Sequence, residues 1–461
     1  MIPPQRIKPL NSRVDRRGDF VLYWMQASQR AEDNHALEFA IEQANDRRQP
    51  VAVVFGLWEG YPEANARHYA FMLEGLRETH DALNRRGVPL FVRNRSPEMA
   101  ALDLAPRASL IVADRGYLRH QIDWRETVAR EAACPVIQVE SDIVVPVDAA
   151  GKKEEYAART LRPRINKLLR RDLVPVETTP LARDSLGLRI DGENLCLGPD
   201  VLDRLKVDPS TPPTPFYRGG ASEARRRLKE FIRHKLKSYD TLRGDPSLDV
   251  CSHMSPYLHF GQVSPLTIAL EIQHTRRKNR ACRDAYLDEL IVRRELSINF
   301  VYYNRRYDEF AALPDWARKT LAEHAADPRE AAYTLEQFER AETHDPYWNA
   351  AQREMTITGK MHNYMRMYWG KKIIEWSRTP VEAFRIALTL NNKYELDGRD
   401  ANSYAGVAWV FGKHDRPWVE RPIFGKVRYM NAAGLRRKFD IESYVRQVEA
   451  LSPTETAGES S

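Results

Sequence analysis

The first part of the chain alternates short apolar segments with amphipathic ones, and this pattern constrains the fold more than any other feature. Strands rich in β-branched and aromatic residues are predicted at 19–26, 49–57, 88–94, 108–114 and 135–141. Amphipathic segments between them predict helices at 30–47, 66–87, 97–105 and 122–133. Because strands that alternate with helices pair in parallel, we expect a Rossmann-like α/β domain with helices on both faces of its sheet.

The periodicity changes to that of helices from about residue 218 onwards. Several of these later segments begin with Ser, Thr or Pro, which favour helix starts. Strand signals are nearly absent there, and a stretch rich in Pro, Thr and Gly precedes the change. We therefore predict an α/β domain at 1–175, a connector at 176–217, an all-α domain at 218–450 and a disordered polar tail at 451–461.

Composition excludes several classes of protein. The sequence has no apolar run of about 18 residues, as a membrane-spanning helix needs, and its N-terminus lacks the apolar core of a secretory signal. Its 4 Cys form no CxxC pair, so we expect neither a metal site nor a disulfide framework. A net charge of +7 with 9 Trp and 20 Tyr fits nucleic acid as a partner, although many unrelated enzymes share it. We expect a cytoplasmic protein.

Three tryptophans of the helical part are candidates for more than packing. Trp369 and Trp376 are seven residues apart, which is two turns, or about 10.5 Å, along one helix face. Trp348 lies upstream of both. Such residues form either a packed aromatic core or a chain of redox-active indoles, and their spacing does not separate the two interpretations.

Several polar residues are candidates for ligand contacts, each with an ordinary structural alternative. Arg366 and Asp397 either hold charge beside a cofactor ring or form a surface ion pair. Ser252 and Ser255, at a turn before a predicted helix, either cradle phosphates or cap that helix. Glu289 either faces solvent on a helix of alternating charge or, if buried, accepts a hydrogen bond from a base. The sequence lacks a GxGxxG after its first strand and has no GxxxxGK[ST] motif, which disfavours a dinucleotide or P-loop site.

From about residue 19 to 448 the chain resembles the class II cyclobutane pyrimidine dimer DNA photolyases of the photolyase/cryptochrome family. The stretches that carry this resemblance are YWMQASQRAEDNHAL, DRGYLRHQ, QVESDIVVPV, KEEYAARTLRPRI, SPYLHFGQVSP, DELIVRREL, GKMHNYMRMYW, KYELDGRDANSYAG and FGKVRYMN. Stretches this long and this numerous are specific, because a merely shared α/β fold would not produce them together.

The resemblance implies an antenna-type α/β domain and a helical domain that holds FAD, active as the reduced anion FADH⁻. Light drives one electron from this cofactor to a pyrimidine dimer flipped out of DNA, the two cyclobutane bonds break, and the electron returns. The activity implied is that of a carbon–carbon lyase, acting as a monomer on damaged DNA at the nucleoid. An antenna chromophore, 8-hydroxy-deazaflavin or a folate, is the second cofactor implied.

The resemblance also assigns residues. Those that match FAD contacts of the family are Tyr239, Ser252, His253, Met254, Ser255, Arg366, Asn391 and Asp397. Those that match contacts to the dimer are Arg243, Glu289, Met367 and Trp409. Catalytic positions are matched by Glu289, Asn391, Arg366 and Asp397. Asn391 would face flavin N5, with Asn392 as the alternative one residue away.

The three tryptophans match a relay that reduces the flavin before repair. In that relay Trp369 is next to FAD, Trp348 is in the middle and Trp376 is the exposed end. A cryptochrome-like photoreceptor would keep FAD and the relay without repairing DNA, and Glu289, Met367 and Trp409 favour repair over it. A light-independent nucleotide-binding protein is the other alternative, disfavoured by the missing phosphate loop.

Overall fold

The computed structural model describes residues 1–192, 194–275 and 280–451. The strands among them are β1 (Ile7–Pro9), β2 (Phe20–Met25), β3 (Val51–Gly56), β4 (Leu90–Arg93), β5 (Ala108–Asp114) and β6 (Val136–Val139). They form one sheet in the order β1-β6-β5-β2-β3-β4. Neighbouring strands are parallel except β1, which pairs antiparallel with β6. The predicted parallel sheet is confirmed, and β1 is an edge strand that the prediction missed.

Helices cover both faces of this sheet, as predicted. α1 (His35–Arg47) and α2 (Ala66–Arg85) pack on one face, and α3 (Pro97–Leu104) and α4 (Arg119–Glu131) on the other. The next helices, α5 (Val147–Ala150) and α6 (Ala158–Asp172), pack against the helical part instead. Alternate residues of β2 point to opposite faces, so Val21 and Tyr23 pack with α1 while Leu22 and Trp24 pack with α3 and α4. α1 begins five residues later than predicted, because the Asn34 side chain caps it by accepting from the next backbone N–H groups.

The second half is helical. Its described α-helices are α7 (Ala221–Glu230), α8 (Tyr239–Leu242), α9 (Ser255–His259), α10 (Pro265–Gln273), α11 (Arg280–Leu287), α12 (Arg294–Tyr303), α13 (Asp315–Glu323), α14 (Leu335–Glu339), α15 (Pro346–Thr358), α16 (Asn363–Trp376), α17 (Pro380–Tyr394), α18 (Ala401–Val410), α19 (Ala432–Lys438) and α20 (Ile441–Glu449). Across the described ranges, none of the helices is long and apolar enough to cross a membrane. The predicted disordered tail lies outside the described residues beyond Leu451.

Two segments that read as continuous helices contain π-helical turns, at Phe231–Lys235 and Asp288–Arg293. A π-turn inserts one residue into the helical repeat and rotates the side chains that follow. Apolar periodicity does not reveal such an insertion. The second turn carries Glu289, one of the predicted dimer contacts.

The segment between α6 and α7 lies against the α/β part. Its regular structure within the described residues is a 3₁₀ turn at Pro199–Arg204. Leu195, Leu197 and Val201 pack into the core on the α1 side of the sheet. These contacts fasten the middle of the segment to the sheet.

Two side chains bind the α/β and helical parts together. Arg67, in α2, donates to the carbonyl oxygens of Thr356 at 2.7 Å and Tyr394 at 3.1 Å, near the C-terminal ends of α15 and α17. Glu295, in α12, accepts from the backbone N–H groups of Val144 and Val145 at 2.8 and 3.0 Å. These four hydrogen bonds cross between the two parts and involve buried side chains, so the parts hold a fixed relation to each other.

Candidate active site

A cluster of four charged side chains lies where α16 meets the loop after α17. Arg366 Nη2 is 2.9 Å from Glu395 Oε1 and 3.5 Å from Asp397 Oδ1. Lys360 Nζ is 2.6 Å from Asp397 Oδ2 and 2.9 Å from Ser255 Oγ. The structure therefore brings the predicted pair of Arg366 and Asp397 together. It also adds Lys360 and Glu395, which the sequence did not single out.

Burial and the neighbouring cations shift the pKa values of the two carboxyl groups of this cluster in opposite directions. Burial alone would raise the pKa of Asp397, but attraction to Lys360 and Arg366 outweighs it and holds that pKa well below its ordinary range. Burial raises the pKa of Glu395 from an ordinary 4.5 to about 7, despite Arg366 and Lys360 nearby. Lys360 and Arg366 thus face one carboxylate that stays ionised, Asp397, and one whose pKa lies near neutrality, Glu395.

The raised pKa of Glu395 predicts a contribution to the pH dependence of stability. Because the folded state holds this proton more tightly than the unfolded chain, the contribution is complete below about pH 4.5 and is lost as pH rises through about 7. The loss amounts to up to about 3 kcal/mol. Glu395→Gln should remove it and flatten the curve of melting temperature against pH between 4.5 and 7. Identical curves for wild type, Glu395→Gln and the exposed control Glu449→Gln would contradict this prediction.

The predicted phosphate-side residues lie on one segment that leads into the charge cluster. The ring of His253 is fixed at both nitrogens, 2.7 Å from Asp249 Oδ1 and 3.0 Å from Tyr217 Oη. Its φ of 56° places His253 in the left-handed region, so the chain turns sharply there. Tyr286 Oη donates to Ser252 Oγ at 3.0 Å, and Ser255 opens α9 beside Lys360.

Met254 and Tyr239 are buried on either side of this turn. Met254 packs into the core that joins α9 and α10, and Tyr239 contacts the rings of Phe231 and Tyr286 at 5.6 and 5.2 Å. Ser252 and His253 line a cavity together with residues of α15 and α20. Within the described ranges, buried Arg366 Nε lacks a hydrogen-bond partner. The cavity lining also holds the cations Arg226, Arg227 and Lys235 and the carboxylates Glu230, Asp249 and Glu354. Its cations and hydroxyl groups, with the unpaired Arg366 N–H outside the lining, fit an anionic cofactor such as FAD.

Two neighbouring asparagines of α17 have different partners. Asn392 donates to Glu63 Oε2 of the α/β part at 2.7 Å, and its Oδ1 accepts from Arg399 N at 3.0 Å. Asn391 donates to the Ser403 hydroxyl of α18. Asn392 therefore faces the α/β part, whereas the Asn391 amide N–H contacts Ser403 and Asn392 within the helical part.

The three predicted relay tryptophans are brought together. The rings of Trp369 and Trp348 are stacked, with centroids 6.3 Å apart and planes 8° apart. Trp348 and Trp376 are also 6.3 Å apart, in an edge-on arrangement. Their order in space is therefore the predicted one, with Trp348 in the middle. The prediction that Trp376 is exposed is wrong: its side chain is 2% exposed, because Tyr333 and His344 cover it.

Two predicted dimer contacts, Arg243 and Glu289, form an ion pair. Arg243 Nη1 lies 3.0 Å from Glu289 Oε1, and both side chains are more than one-third exposed. Asp288 anchors the π-turn that carries Glu289 by accepting two bonds from Arg162, at 2.8 and 3.0 Å. The Arg243 guanidinium also lies 5.3 Å from the ring centroid of Tyr239. Arg243 therefore connects the predicted cofactor and substrate residues.

The other two predicted dimer contacts, Met367 and Trp409, are half-buried on packed helices. Helix α16 approaches α18 closely at Gly370, where a Cβ would lie 2.7 Å from the Val410 side chain. Buried Lys371 donates to the Val410 carbonyl oxygen at the end of α18. These contacts fix the turn of helix that presents Trp409.

An exposed tryptophan was missed as a candidate contact. Trp418 is 41% exposed. The guanidinium carbons of Arg416 and Arg428 lie 5.4 and 5.3 Å from its ring centroid. An open indole flanked by two cations suits a nucleic acid.

A second cavity lies at the carboxyl ends of the sheet strands, as expected for an α/β fold. Trp58, Tyr61 and Trp124 form an aromatic wall, and the ring centroids of Trp58 and of Tyr61 each lie 6.1 Å from that of Trp124. Arg399 reaches this cavity from the helical part, and its Nε is buried without a hydrogen-bond partner in the described ranges. Those ranges contain no cluster of three His, Cys, Asp or Glu residues placed to hold a metal ion.

Comparison with known proteins gives concordant results. A family model described as DNA photolyase matches residues 21–181. A curated protein of Methanothermobacter thermautotrophicus, named Deoxyribodipyrimidine photo-lyase, is 50% identical over 98% of this chain and 99% of its own length. A protein of the same name from Arabidopsis thaliana is 40% identical over 98% of this chain and 94% of its own.

Solved structures with a similar fold belong to the same group. A class III photolyase from Agrobacterium tumefaciens matches with a TM-score of 0.72 and 19% identity, covering 94% of this chain and 87% of that one. A Synechocystis cryptochrome matches with a TM-score of 0.71 and 16% identity, covering 94% and 89%. At these identities the structures support the fold alone.

Proposed function

The chain belongs to the DNA photolyase family, and we propose that it repairs cyclobutane pyrimidine dimers in DNA with the energy of absorbed light. Its similarity over nearly the full length to proteins named deoxyribodipyrimidine photo-lyase carries this conclusion. The test is to illuminate the reduced, flavin-loaded protein with DNA that contains a thymine dimer. Disappearance of the dimer supports repair. Persistence of the dimer with normal flavin reduction would favour a cryptochrome-like photoreceptor.

FAD is the cofactor that the family binds, and we propose which residues hold it here. Tyr239 and the segment from Ser252 to Ser255 would contact its diphosphate side. Arg366 and Asp397 would flank the isoalloxazine ring, and Asn391 would face N5. When bound and fully reduced, FAD supplies the electron that splits the dimer on excitation by light. The charged cluster orients the ring and balances its charge.

The proposed dimer pocket combines one carboxylate with apolar faces. Met367 and Trp409 would pack against the flipped-out dimer, and Glu289 would accept a hydrogen bond from an N–H of its thymine. Arg243, released from Glu289, would contact the damaged strand. Exchange of the 3.0 Å ion pair for these two contacts frees the carboxylate when DNA is present.

Replacing Glu289 with Ala should slow repair by about tenfold or more, because a hydrogen bond to a charged group contributes about 1.5–3 kcal/mol. The bound flavin should stay, since Glu289 belongs to the substrate side of the pocket. Repair of dimer-containing DNA and the flavin absorbance of the purified variant measure the two effects. Glu449→Ala, a change of the same kind on the exposed face of α20, is the control. Unchanged repair by Glu289→Ala would refute this role.

We propose that Trp418 contacts the DNA next to the lesion. Stacking of a base on an aromatic side chain contributes about 1–3 kcal/mol, so Trp418→Ala should weaken binding of dimer-containing DNA roughly tenfold. Fluorescence anisotropy of labelled duplex DNA measures this affinity. The exposed residue Val381 offers a control, because Val381→Ser removes apolar surface elsewhere on the helical part. Equal affinities for both variants would exclude Trp418 from the interface.

The aromatic cavity of the α/β part is our proposal for the antenna site. Its aromatic rings, which meet edge to face, and the buried cation of Arg399 suit a planar chromophore that carries negative charge, such as 8-hydroxy-deazaflavin or a folate. The absorption spectrum of the purified protein distinguishes these chromophores. We also propose that the protein acts as a monomer, without a metal ion, in the cytoplasm at the nucleoid.

A further inference from the structure

The far end of the tryptophan series is covered by two other side chains. The ring of His344 lies 4.8 Å from the ring of Trp376, and the ring of Tyr333 lies 5.8 Å from it. The backbone N–H of Tyr333 donates to the Trp376 carbonyl oxygen at 3.0 Å, which fixes this contact. Tyr333 is half-buried and His344 is exposed, whereas Trp376 is buried. An electron that enters from solvent therefore meets this pair before it meets an indole.

The hydrogen bonds of Tyr333 orient its phenol proton. The backbone N–H of His344 donates to Tyr333 Oη at 3.0 Å, which occupies that oxygen as an acceptor. His344 Nδ1 lies 2.7 Å from the same oxygen. A neutral imidazole with its proton on Nε2 accepts the phenol proton at Nδ1, and Nε2 can then release its proton to water. Tyr333 thus supplies a phenol that can be oxidised, and His344 supplies a base in contact with its hydroxyl group.

Charge near Trp376 disfavours a lasting positive charge on that indole. The ammonium group of Lys372 lies 5.2 Å from the ring centroid of Trp376, with Glu375 2.5 Å from Lys372 Nζ as partial compensation. A radical cation on Trp376 would be buried beside this ammonium group. A tyrosine that gives up its proton on oxidation carries no such charge.

We propose that Tyr333 is the terminal electron donor of the relay and that His344 accepts its proton. This proposal rests on the proposed function and on the predicted relay, in which light draws an electron to the flavin from Trp369, then from Trp348 to Trp369, and then from Trp376 to Trp348. The oxidised Trp376 takes one electron from Tyr333, and the phenol proton moves to His344 Nδ1. The products are a neutral Trp376, a neutral tyrosyl radical and an imidazolium, which passes its Nε2 proton to solvent. A soluble thiol restores the tyrosine with one electron and one proton.

Electron paramagnetic resonance of flavin-loaded protein, frozen after a flash of blue light, tests this directly. Protein grown with ring-deuterated tyrosine and protein grown with ring-deuterated tryptophan identify the radical without any mutation. We expect a tyrosyl signal that narrows only with deuterated tyrosine. We expect its loss in Tyr333→Phe, which keeps the ring that covers Trp376. His344→Phe, which keeps a ring but removes the base, should also lose it.

Tyr364→Phe is the matched control, because Tyr364 is a half-buried tyrosine of the same part whose hydroxyl accepts from Lys438. A tryptophan radical in the wild type, or a tyrosyl signal that survives in Tyr333→Phe, would overturn the proposal. If Trp369→Phe also leaves the photoreduction rate unchanged, the relay itself fails, and the terminal donor fails with it. If photoreduction is normal and depends on Trp369 but the final radical lies on a tryptophan, only the assignment of Tyr333 as terminal donor is refuted. Equal flavin content and melting temperature in all variants show that folding is not the cause.

Discussion

Replacing Trp369 with Phe is expected to abolish photoreduction of the flavin while sparing repair by enzyme that has been reduced chemically. Trp369 is the relay member nearest to Arg366 on α16, three residues after it, and its ring stacks on Trp348 at 6.3 Å. A phenyl ring is far harder to oxidise than an indole, so the first transfer stops. The electron that splits the dimer does not pass through the relay, so the repair step remains.

Two measurements on one preparation check this result. Flavin absorbance under blue light follows photoreduction, and dimer repair after reduction with dithionite follows catalysis. In the wild type, Trp369 Nε1 donates to Gln352 Oε1 at 2.8 Å. The substitution leaves this buried oxygen without its donor and should lower the free energy of unfolding by about 1–3 kcal/mol. Trp316→Phe, in α13, is the control for a tryptophan outside the relay. Equal loss of photoreduction and repair would contradict the relay assignment.

The largest effect on stability and cofactor binding is expected for Asp397→Ala. This substitution leaves Lys360 and Arg366 with Glu395 as their remaining ion-pair partner. Burial still raises the pKa of Glu395, although loss of Asp397 removes part of that rise, so one buried carboxylate faces two cations. Removing one partner of a buried ion pair costs about 3–5 kcal/mol. The variant should therefore lose flavin and unfold at lower denaturant concentration.

Urea unfolding and flavin absorbance measure these losses. Asp397→Asn keeps the size of the side chain and removes its charge, so it should behave like Asp397→Ala if charge is the cause. Asp315→Asn supplies the control, because Asp315 forms an ion pair with Arg318 at 94% exposure, where such pairs contribute about 0–1 kcal/mol. Full flavin content and unchanged stability in Asp397→Asn would show that the cluster does not depend on this carboxylate.

The elements were predictable where the local pattern is strong. β2, β3 and β5 are buried throughout, and their continuous apolar runs distinguish them from amphipathic helices. β1 has three residues and is half-exposed, so it has no such pattern. The π-turn under Glu289 was not predictable, because one inserted residue leaves the apolar periodicity of its helix nearly unchanged.

Site residues that lie in family motifs were predictable from the sequence. Features of the site that depend on contacts between distant segments were not. Trp348 was correctly placed between Trp369 and Trp376, yet burial of Trp376 depends on His344 and on Tyr333. Those contacts join α16 to loops far from it in sequence. Exposure of a single residue depends on which segments pack over it, and sequence periodicity does not report that.

Lys360 and Glu395 were missed for a similar reason. Each is an ordinary charged residue in sequence, and its role follows from meeting Arg366 and Asp397 in a buried space. The family motifs identified the pair, whereas the balance of charge around it depends on all four. A prediction from motifs alone therefore understates how many side chains set the pKa values near a cofactor.

One arginine limits how this chain can be divided. Arg67 lies in the α/β part, yet it closes the C-terminal ends of α15, which carries Trp348, and α17, which carries Asn391. A gene fragment for the helical part alone would encode both helices without this cap. Recombination that exchanges one half for that of a distant homologue must keep an arginine at this position. It must also keep the ends of the two helices where that arginine reaches their carbonyl oxygens. The two halves are therefore constrained to be inherited together.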